Sequence, residues 1–215
     1  AFYLPQSAVV VDPGAQTTIS VVLLNLQTTA TTFAIAVKGP PLPWVTVNPT
    51  VYELQGNEQH VATIEITPPR VRQSRAGTYS LQLEVTDRQQ PAQVAAAEVK
   101  LKVKPFTDFH VEWPSPQTQV GDPLPVRIEN RGNTPQSFKV MWWEEGGQDL
   151  LFEPAEAKLD LLPGETKAVQ TVAVLRTQRW LGATKAHKIK IQISAPGRTQ
   201  PWDGVLLSRG RIRMG

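Results

Sequence analysis

Apolar and polar residues alternate along most of this chain in short runs, and the alternation has a period of two residues. In the run FKVMWW, for example, Phe138, Val140 and Trp142 alternate with Lys139, Met141 and Trp143. The same alternation recurs at residues 81–85 and 189–193. A period of two places one side of a segment on a core and the other in water, and β-branched residues suit such segments. The pattern predicts β-strands.

Turn-forming residues separate the strand-like runs. The chain has 19 prolines and 14 glycines, and prolines interrupt every segment that could otherwise continue as a helix. Short strands that recur between Gly, Pro and Asn turns are typical of two antiparallel sheets packed face to face. The sequence therefore predicts an all-β fold built from antiparallel β-sandwiches.

The strand pattern occurs twice. A segment that starts at Val9 is matched by one that starts at Thr118, and four later segments follow in the same order. Three residue pairs keep an offset of 105 positions: Asn25 and Asn130, Phe33 and Phe138, Pro49 and Pro154. A repeat of roughly 107 residues indicates duplication. We expect two tandem immunoglobulin-like sandwiches, residues 1–105 and 106–215, joined at VKPFTDFHVEWP with almost no linker.

Composition limits the possible functions only slightly. With 22 Lys and Arg against 19 Asp and Glu, the net charge of +3 does not by itself imply binding to nucleic acid. The absence of cysteine excludes disulfides, thiolate metal sites and cysteine nucleophiles. No stretch approaches the roughly 20 apolar residues that span a bilayer. The start AFYLPQ, without Met, suggests a processed chain or an excerpt of a larger protein.

Two motifs carry a resemblance to known families. VGDPLPVRIENRGNTPQSFKV, followed by LDLLPGETKAV, resembles bacterial immunoglobulin-like repeats of the CARDB-like, adhesion-related kind. WVTVNPTVYELQGNE resembles the same module and also the broader PapD-like and major-sperm-protein-like sandwiches. The resemblance implies a spacer, presenter or protein-binding module of a larger bacterial protein. The sequence does not fix the location, and an extracytoplasmic or membrane-associated place in a bacterium is the expectation. The resemblance carries no catalytic residues over to this chain, and a shared fold does not fix a function.

A search for reactive motifs gives no catalytic residue, no cofactor site and no metal site. The strings G-x-S-x-G, G-x-x-x-x-G-K-[ST] and G-x-G-x-x-G are absent. His60, His110 and His187 are scattered, and we expect all three to be surface or edge residues. Glu144, Glu145 and Asp149 could offer oxygens to calcium, but their spacing matches no known loop, and a solvated hairpin tip is the simpler interpretation.

The stretch VRIENRGNTPQSFKV could be a ligand-binding loop or a turn between two strands. Asn130 within it has a counterpart, Asn25, in the first half of the chain. Asparagine tolerates left-handed backbone angles, and its side chain can bond to nearby backbone groups. We therefore interpret the stretch as a structural corner.

Exposed aromatic and basic residues are the candidate partner contacts. Alternation places Trp142 in the core and Met141 and Trp143 on the outer face, where they could contact a protein or a sugar, or could simply pack against a neighbouring segment. Trp180 and Trp202 could join such a surface. Arg209, Arg211 and Arg213 lie at alternate positions and could contact an acidic partner, or could protect a strand edge.

The leading hypothesis is a non-enzymatic tandem segment that serves as a rigid spacer or a protein-docking module of a bacterial envelope or assembly protein. Its partner would be another protein or a neighbouring domain of the same chain. The alternative is a carbohydrate-binding accessory module, which needs a row of exposed aromatics such as Trp143, Trp180 and Trp202. An enzyme that acts through scattered acids is a third possibility.

Overall fold

The computed structural model describes residues 1–39, 42–177 and 183–209. The chain divides into two compact units, Ala1–Phe106 and Thr107–Gly215. Within the described ranges, no helix is long and apolar enough to cross a bilayer.

The first unit contains nine strands and one short 3₁₀ helix within its described residues. In chain order the strands are β1 (Phe2–Tyr3), β2 (Ala8–Val11), β3 (Thr17–Leu24), β4 (Thr31–Lys38), β5 (Val45–Val47), β6 (Val51–Leu54), β7 (Gln59–Ile66), β8 (Gly77–Asp87) and β9 (Val94–Val103), with the 3₁₀ helix at Leu42–Trp44. They form a four-stranded sheet in the order β1-β3-β7-β5 and a five-stranded sheet in the order β2-β9-β8-β4-β6.

The second unit has the same arrangement, strand for strand. Its strands are β10 (Phe109–Glu112), β11 (Gln117–Gln119), β12 (Pro123–Asn130), β13 (Gln136–Glu144), β14 (Leu150–Glu153), β15 (Glu156–Leu161), β16 (Thr166–Leu175), β17 (Lys185–Ala195) and β18 (Arg198–Ser208). The sheet orders are β10-β12-β16-β14 and β11-β18-β17-β13-β15. Replacing each strand of the first unit by its counterpart reproduces both orders.

The predicted all-β fold with two immunoglobulin-like sandwiches is confirmed. Almost all neighbouring strands are antiparallel, as predicted. One pair in each unit differs, because β2 runs parallel to β9 and β11 runs parallel to β18. In each unit the chain therefore begins on the four-stranded sheet and then crosses to the edge of the five-stranded one.

Alternating apolar residues fill the space between the two sheets of each unit. In the second unit the buried side chains include Leu124, Val126, Ile128, Phe138, Val140, Trp142, Ile189, Ile191 and Ile193. Burying one such side chain contributes about 1.5–3 kcal/mol to stability. The predicted core position of Trp142 is confirmed, since only 2% of that residue is exposed.

Asn130 forms a structural corner, as the sequence predicts. It is fully buried, and its Nδ2 donates hydrogen bonds of 3.0 Å to the carbonyls of Thr134 and Leu161. Its Oδ1 accepts a bond of 3.0 Å from the amide of Gly132. Asn25 makes equivalent bonds in the first unit, including one of 2.8 Å to the carbonyl of Thr29. Both side chains are engaged by backbone groups of their own turns and by the carbonyl of a residue that ends a strand in the other sheet.

Candidate functional site

Polar side chains close one end of the second sandwich. Glu144 ends β13, His187 lies near the start of β17, and Ser208 ends β18. Alternation points all three inward, because each continues the series of core residues on its own strand. The strands β13, β17 and β18 are neighbours in one sheet, so these side chains meet.

The three side chains form a continuous chain of contacts. His187 Nδ1 lies 2.8 Å from Glu144 Oε1, and His187 Nε2 lies 2.9 Å from Ser208 Oγ. Only 1% of the His187 side chain and 6% of the Glu144 side chain are exposed. Each ring nitrogen thus has a polar partner in a buried place, which fixes the orientation of the imidazole.

The Glu144 carboxylate also organises the connection from β13 to β14. Its Oε2 accepts hydrogen bonds from the backbone amides of Asp149 (2.8 Å) and Leu150 (3.0 Å). A Cβ added at Gly147 would lie 2.4 Å from Glu144 Cδ, so the loop backbone passes directly against the carboxylate. The connection links the two sheets, and it is not the predicted hairpin.

Asp149 brings a second carboxylate to the same imidazole. Its Oδ2 lies 3.8 Å from His187 Nδ1, and its side chain is 49% exposed. Lys185 forms an ion pair with Asp149 and is similarly exposed, at 45%. One atom each from Glu144, Asp149 and His187 can be chosen so that all three lie within 4.8 Å of one another.

The first unit closes the corresponding end with different chemistry. Strand pairing matches His187 with Tyr79 and Ser208 with Val103, since His187 opposes Leu206 as Tyr79 opposes Leu101. Continuing the β4 and β13 registers likewise matches Glu144 with Gly39. We call Glu144, His187 and Ser208 the polar cluster, and its counterparts in the first unit are Gly39, Tyr79 and Val103. Tyr79 packs edge to face on Trp44, with ring centroids 5.7 Å apart. The sandwich fold itself does not require the polar cluster.

The order of contacts from Ser208 through His187 to Glu144 resembles a nucleophile, its base and an orienting carboxylate. Ser208 is only 5% exposed, so its hydroxyl is almost closed off from solvent. A hydroxyl nucleophile must reach a substrate atom at about 3 Å. The burial of Ser208 therefore argues against acyl transfer at this place.

The predicted positions of His187 and Glu144 are wrong. His187 is buried and not a surface or edge residue, whereas His60 and His110 are exposed as predicted. Glu144 does not belong to a solvated tip. The sequence contained a signal for both, because His187 extends the alternation of residues 189–193 and Glu144 extends that of residues 138–142.

A second surface of interest lies on the outer face of the same sheet. Met141 and Trp143 are half-buried and line an open groove together with Ala155, Glu156 and Gln192. We call these five residues the Trp143 groove. On β4 of the first unit, Ala36 occupies the position that matches Met141, and Lys38 occupies the position that matches Trp143. The groove is thus a feature of the second unit.

Ion pairs flank the Trp143 groove on two sides. Lys139 Nζ lies 2.6 Å from Glu156 Oε2, and the bond and charge of Lys139 lower the pKa of Glu156. Lys190 Nζ lies 3.0 Å from Glu145 Oε1 and 3.5 Å from Asp203 Oδ1. The hydrogen bond to Glu145, followed by the charge of Asp203, raises the pKa of Lys190. The groove therefore has an apolar floor and a charged rim.

Trp202 does not share a face with Trp143. Trp202 opposes Ile191, which opposes Trp142, so Trp202 lies on the inner side of the sheet. Its indole stacks on Trp113 with ring centroids 6.1 Å apart and planes inclined by 13°. A Cβ at Gly204 would lie 2.3 Å from the Trp202 ring, so the indole also covers that glycine.

Of the remaining predicted partner contacts, the structure describes Arg209 alone. Arg209 is exposed directly after β18. Trp180, Arg211 and Arg213 lie outside the described residues.

Among described side chains, the indole Nε1 of Trp142 is the one buried polar atom without a hydrogen-bond partner.

Comparisons with known proteins give distant structural likenesses. No protein-family model matches the chain, and no curated protein matches its sequence. A protein of unknown function from Porphyromonas gingivalis is 16% identical with a TM-score of 0.38, covering 95% of this chain and 98% of its own. The Escherichia coli chaperone DraB is 14% identical with a TM-score of 0.35, covering 95% and 96%. PapD-like domain 7 of human CEP192 is 14% identical with a TM-score of 0.36, covering 48% and 83%.

The last of these bears the PapD-like name to which the sequence resemblance also pointed, while no family model supports the CARDB-like kind. At such identities, and with TM-scores below 0.5, these likenesses carry no argument about what this chain does.

Proposed function

We propose that this chain is a non-catalytic, protein-binding module of a larger bacterial envelope or assembly protein, and that it binds its partner through the Trp143 groove. The observation that carries the proposal is the placement of Met141 and Trp143 side by side on an outer sheet face. Aromatic residues and Met are enriched in the centres of protein interfaces, where polar rims surround them.

The groove suits an apolar side chain of a protein partner. Its floor combines Met141, Trp143 and Ala155, and its rim carries the Lys139–Glu156 and Lys190–Glu145 pairs. An inserted apolar anchor would exclude water from the floor, while the paired charges would remain at the solvated edge. Met adapts its shape to different anchors because it is unbranched and flexible.

A protein partner is better supported than a glycan. Carbohydrate binding by stacking would need a row of outward aromatics, and the register separates Trp143 from Trp202. Trp202 is already stacked on Trp113. Trp143 alone remains on the outer face as a stacking surface among the predicted residues that the structure describes.

The test is site-specific photocrosslinking of the protein in its native cells. A photoreactive residue is introduced at position 143 or at the matched position 38 of the first unit. We expect a discrete protein adduct from position 143, none from position 38, and loss of the adduct when Met141→Asp is added. Equal labelling from both positions, no adduct, or attachment to a glycan would contradict the proposal.

A further inference from the structure

We propose that Glu144, Asp149 and His187 form a binding site for one divalent transition-metal ion of the zinc type. The inference rests on the polar end of the second sandwich and is independent of the Trp143 groove. The ligand atoms are His187 Nδ1 and one carboxylate oxygen from each acid.

The two distances from His187 Nδ1 to the carboxylate oxygens are close to the spacing that such an ion needs. Nδ1 lies 2.8 Å from Glu144 Oε1 and 3.8 Å from Asp149 Oδ2. Around a tetrahedral zinc ion with bonds of about 2.0–2.1 Å, neighbouring ligand atoms are about 3.3–3.4 Å apart. Shifts of about half an ångström would bring both distances to this value, and all three ligand atoms already lie within 4.8 Å of one another.

Ser208 supplies the support that a metal-bound histidine needs. A ligating imidazole donates its other ring N–H to a fixed acceptor, which sets both the tautomer and the ring plane. Ser208 Oγ lies 2.9 Å from His187 Nε2 and can accept that bond. Because a hydroxyl both donates and accepts, the same partner also suits the metal-free tautomer with the proton on Nδ1.

The two carboxylates have complementary roles. Glu144 is held by the backbone amides of Asp149 and Leu150 through Oε2, which leaves Oε1 directed at the imidazole. Asp149 faces solvent and is paired with Lys185, and both side chains are about half exposed. An ion would enter from this side and displace the Lys185 ammonium from Asp149.

The donor chemistry selects the class of ion. One imidazole with two carboxylates favours first-row ions such as Zn²⁺ and Co²⁺ over Mg²⁺ and Ca²⁺, which prefer oxygen alone. The first unit folds in the same way with Gly39, Tyr79 and Val103 at the matched positions of Glu144, His187 and Ser208. The cluster is therefore an addition to the fold and not a condition of it.

The experiment is calorimetric titration of the chelator-treated 215-residue chain with Zn²⁺, together with the visible absorption of Co²⁺ added in its place. We expect one ion per chain and an absorption band from low-symmetry Co²⁺. Asp149→Asn should weaken Zn²⁺ binding by about tenfold or more, whereas Lys185→Gln should strengthen it by about threefold because a competing cation is removed. Asp203→Asn is the matched control, since Asp203 is also an exposed partner of a lysine.

Both test residues are half exposed, so thermal unfolding curves should show that their variants remain folded. The gain in affinity in Lys185→Gln is a result that a purely structural ion pair would not produce. Absence of saturable Zn²⁺ binding, unchanged binding in Asp149→Asn, or equal affinity for Mg²⁺ would overturn the proposal.

Discussion

The side-chain amide of Asn130 donates a hydrogen bond of 3.0 Å to the carbonyl of Leu161, a residue 31 positions further along the chain. Asn25 contacts the carbonyl of Leu54 in the same way, at 3.2 Å. In each unit this one buried side chain connects the end of a strand in one sheet to the end of a strand in the other.

Replacing Asn130 should show how much this connection contributes to the free energy of unfolding of the second unit. Asn130→Ala leaves the carbonyls of Thr134 and Leu161 and the amide of Gly132 without their partner. We therefore expect the free energy of unfolding to fall by about 2–4 kcal/mol. Asn130→Asp keeps the shape but sets a carboxylate against two carbonyls, and it should cost more at neutral pH. Urea unfolding measures both. An Asp variant as stable as wild type would show that the amide donors do not matter.

Gly147→Ala should destabilise the second unit by about 1–3 kcal/mol. The new Cβ would lie 2.4 Å from Glu144 Cδ, so the carboxylate must move away from the amides of Asp149 and Leu150. Gln148→Ala, at an exposed position of the same loop, is the control and should be close to neutral. Equal unfolding midpoints for the two variants would refute the role given to the close approach.

Gly204→Ala should displace the Trp202 indole from Trp113. The added Cβ would lie 2.3 Å from the Trp202 ring, and overpacking of this kind typically costs about 1–3 kcal/mol. Near-ultraviolet circular dichroism reports the loss of the stacked pair. A double-mutant cycle with Trp202→Leu is the control, because the cost of Gly204→Ala should largely disappear when the ring is absent. If Gly204→Ala were equally destabilising in the Trp202→Leu background, the added Cβ would clash with a group other than the Trp202 ring.

Stability should depend on pH through Glu165. Its Oε2 accepts a bond of 2.8 Å from the amide of Leu162, which, with Lys167, lowers the pKa of Glu165. A lowered pKa in the folded state contributes stability that is present above the ordinary glutamate pKa of about 4.3 and is lost as pH falls below it. The stability difference between wild type and Glu165→Gln should therefore shrink toward acid pH in urea unfolding. A difference that is constant with pH would contradict this expectation.

The sequence predicted the strands and their two faces because a period of two is visible within a single run. Trp142 faces the core and Trp143 the outside, as that period requires. The same logic explains Asn130, since its turn residues are local and recur in the other half of the chain. The strand faces and the turn around Asn130 depend on neighbours only a few positions away, whereas the bond from Asn130 to Leu161 spans 31 positions and was not predicted.

The polar end of the second unit could not be found by spacing. His187 is 43 positions from Glu144 and 21 from Ser208, and only the pairing of β13, β17 and β18 brings the three together. The alternation along β13 and β17 extends to Glu144 and His187, so it carries a signal that these two side chains point inward. It could not show that three inward polar residues share one end of the sheet, because that depends on the register between strands.

The parallel pairing of β2 with β9, and of β11 with β18, has a mechanical consequence. In each unit the strand near the amino end lies beside the last strand and runs in the same direction. Tension applied between the two ends of a unit would pull these neighbours in opposite senses along their length. The hydrogen bonds between them would then be loaded in shear, all together, rather than being unzipped one at a time. Each sandwich is thus built to resist stretching.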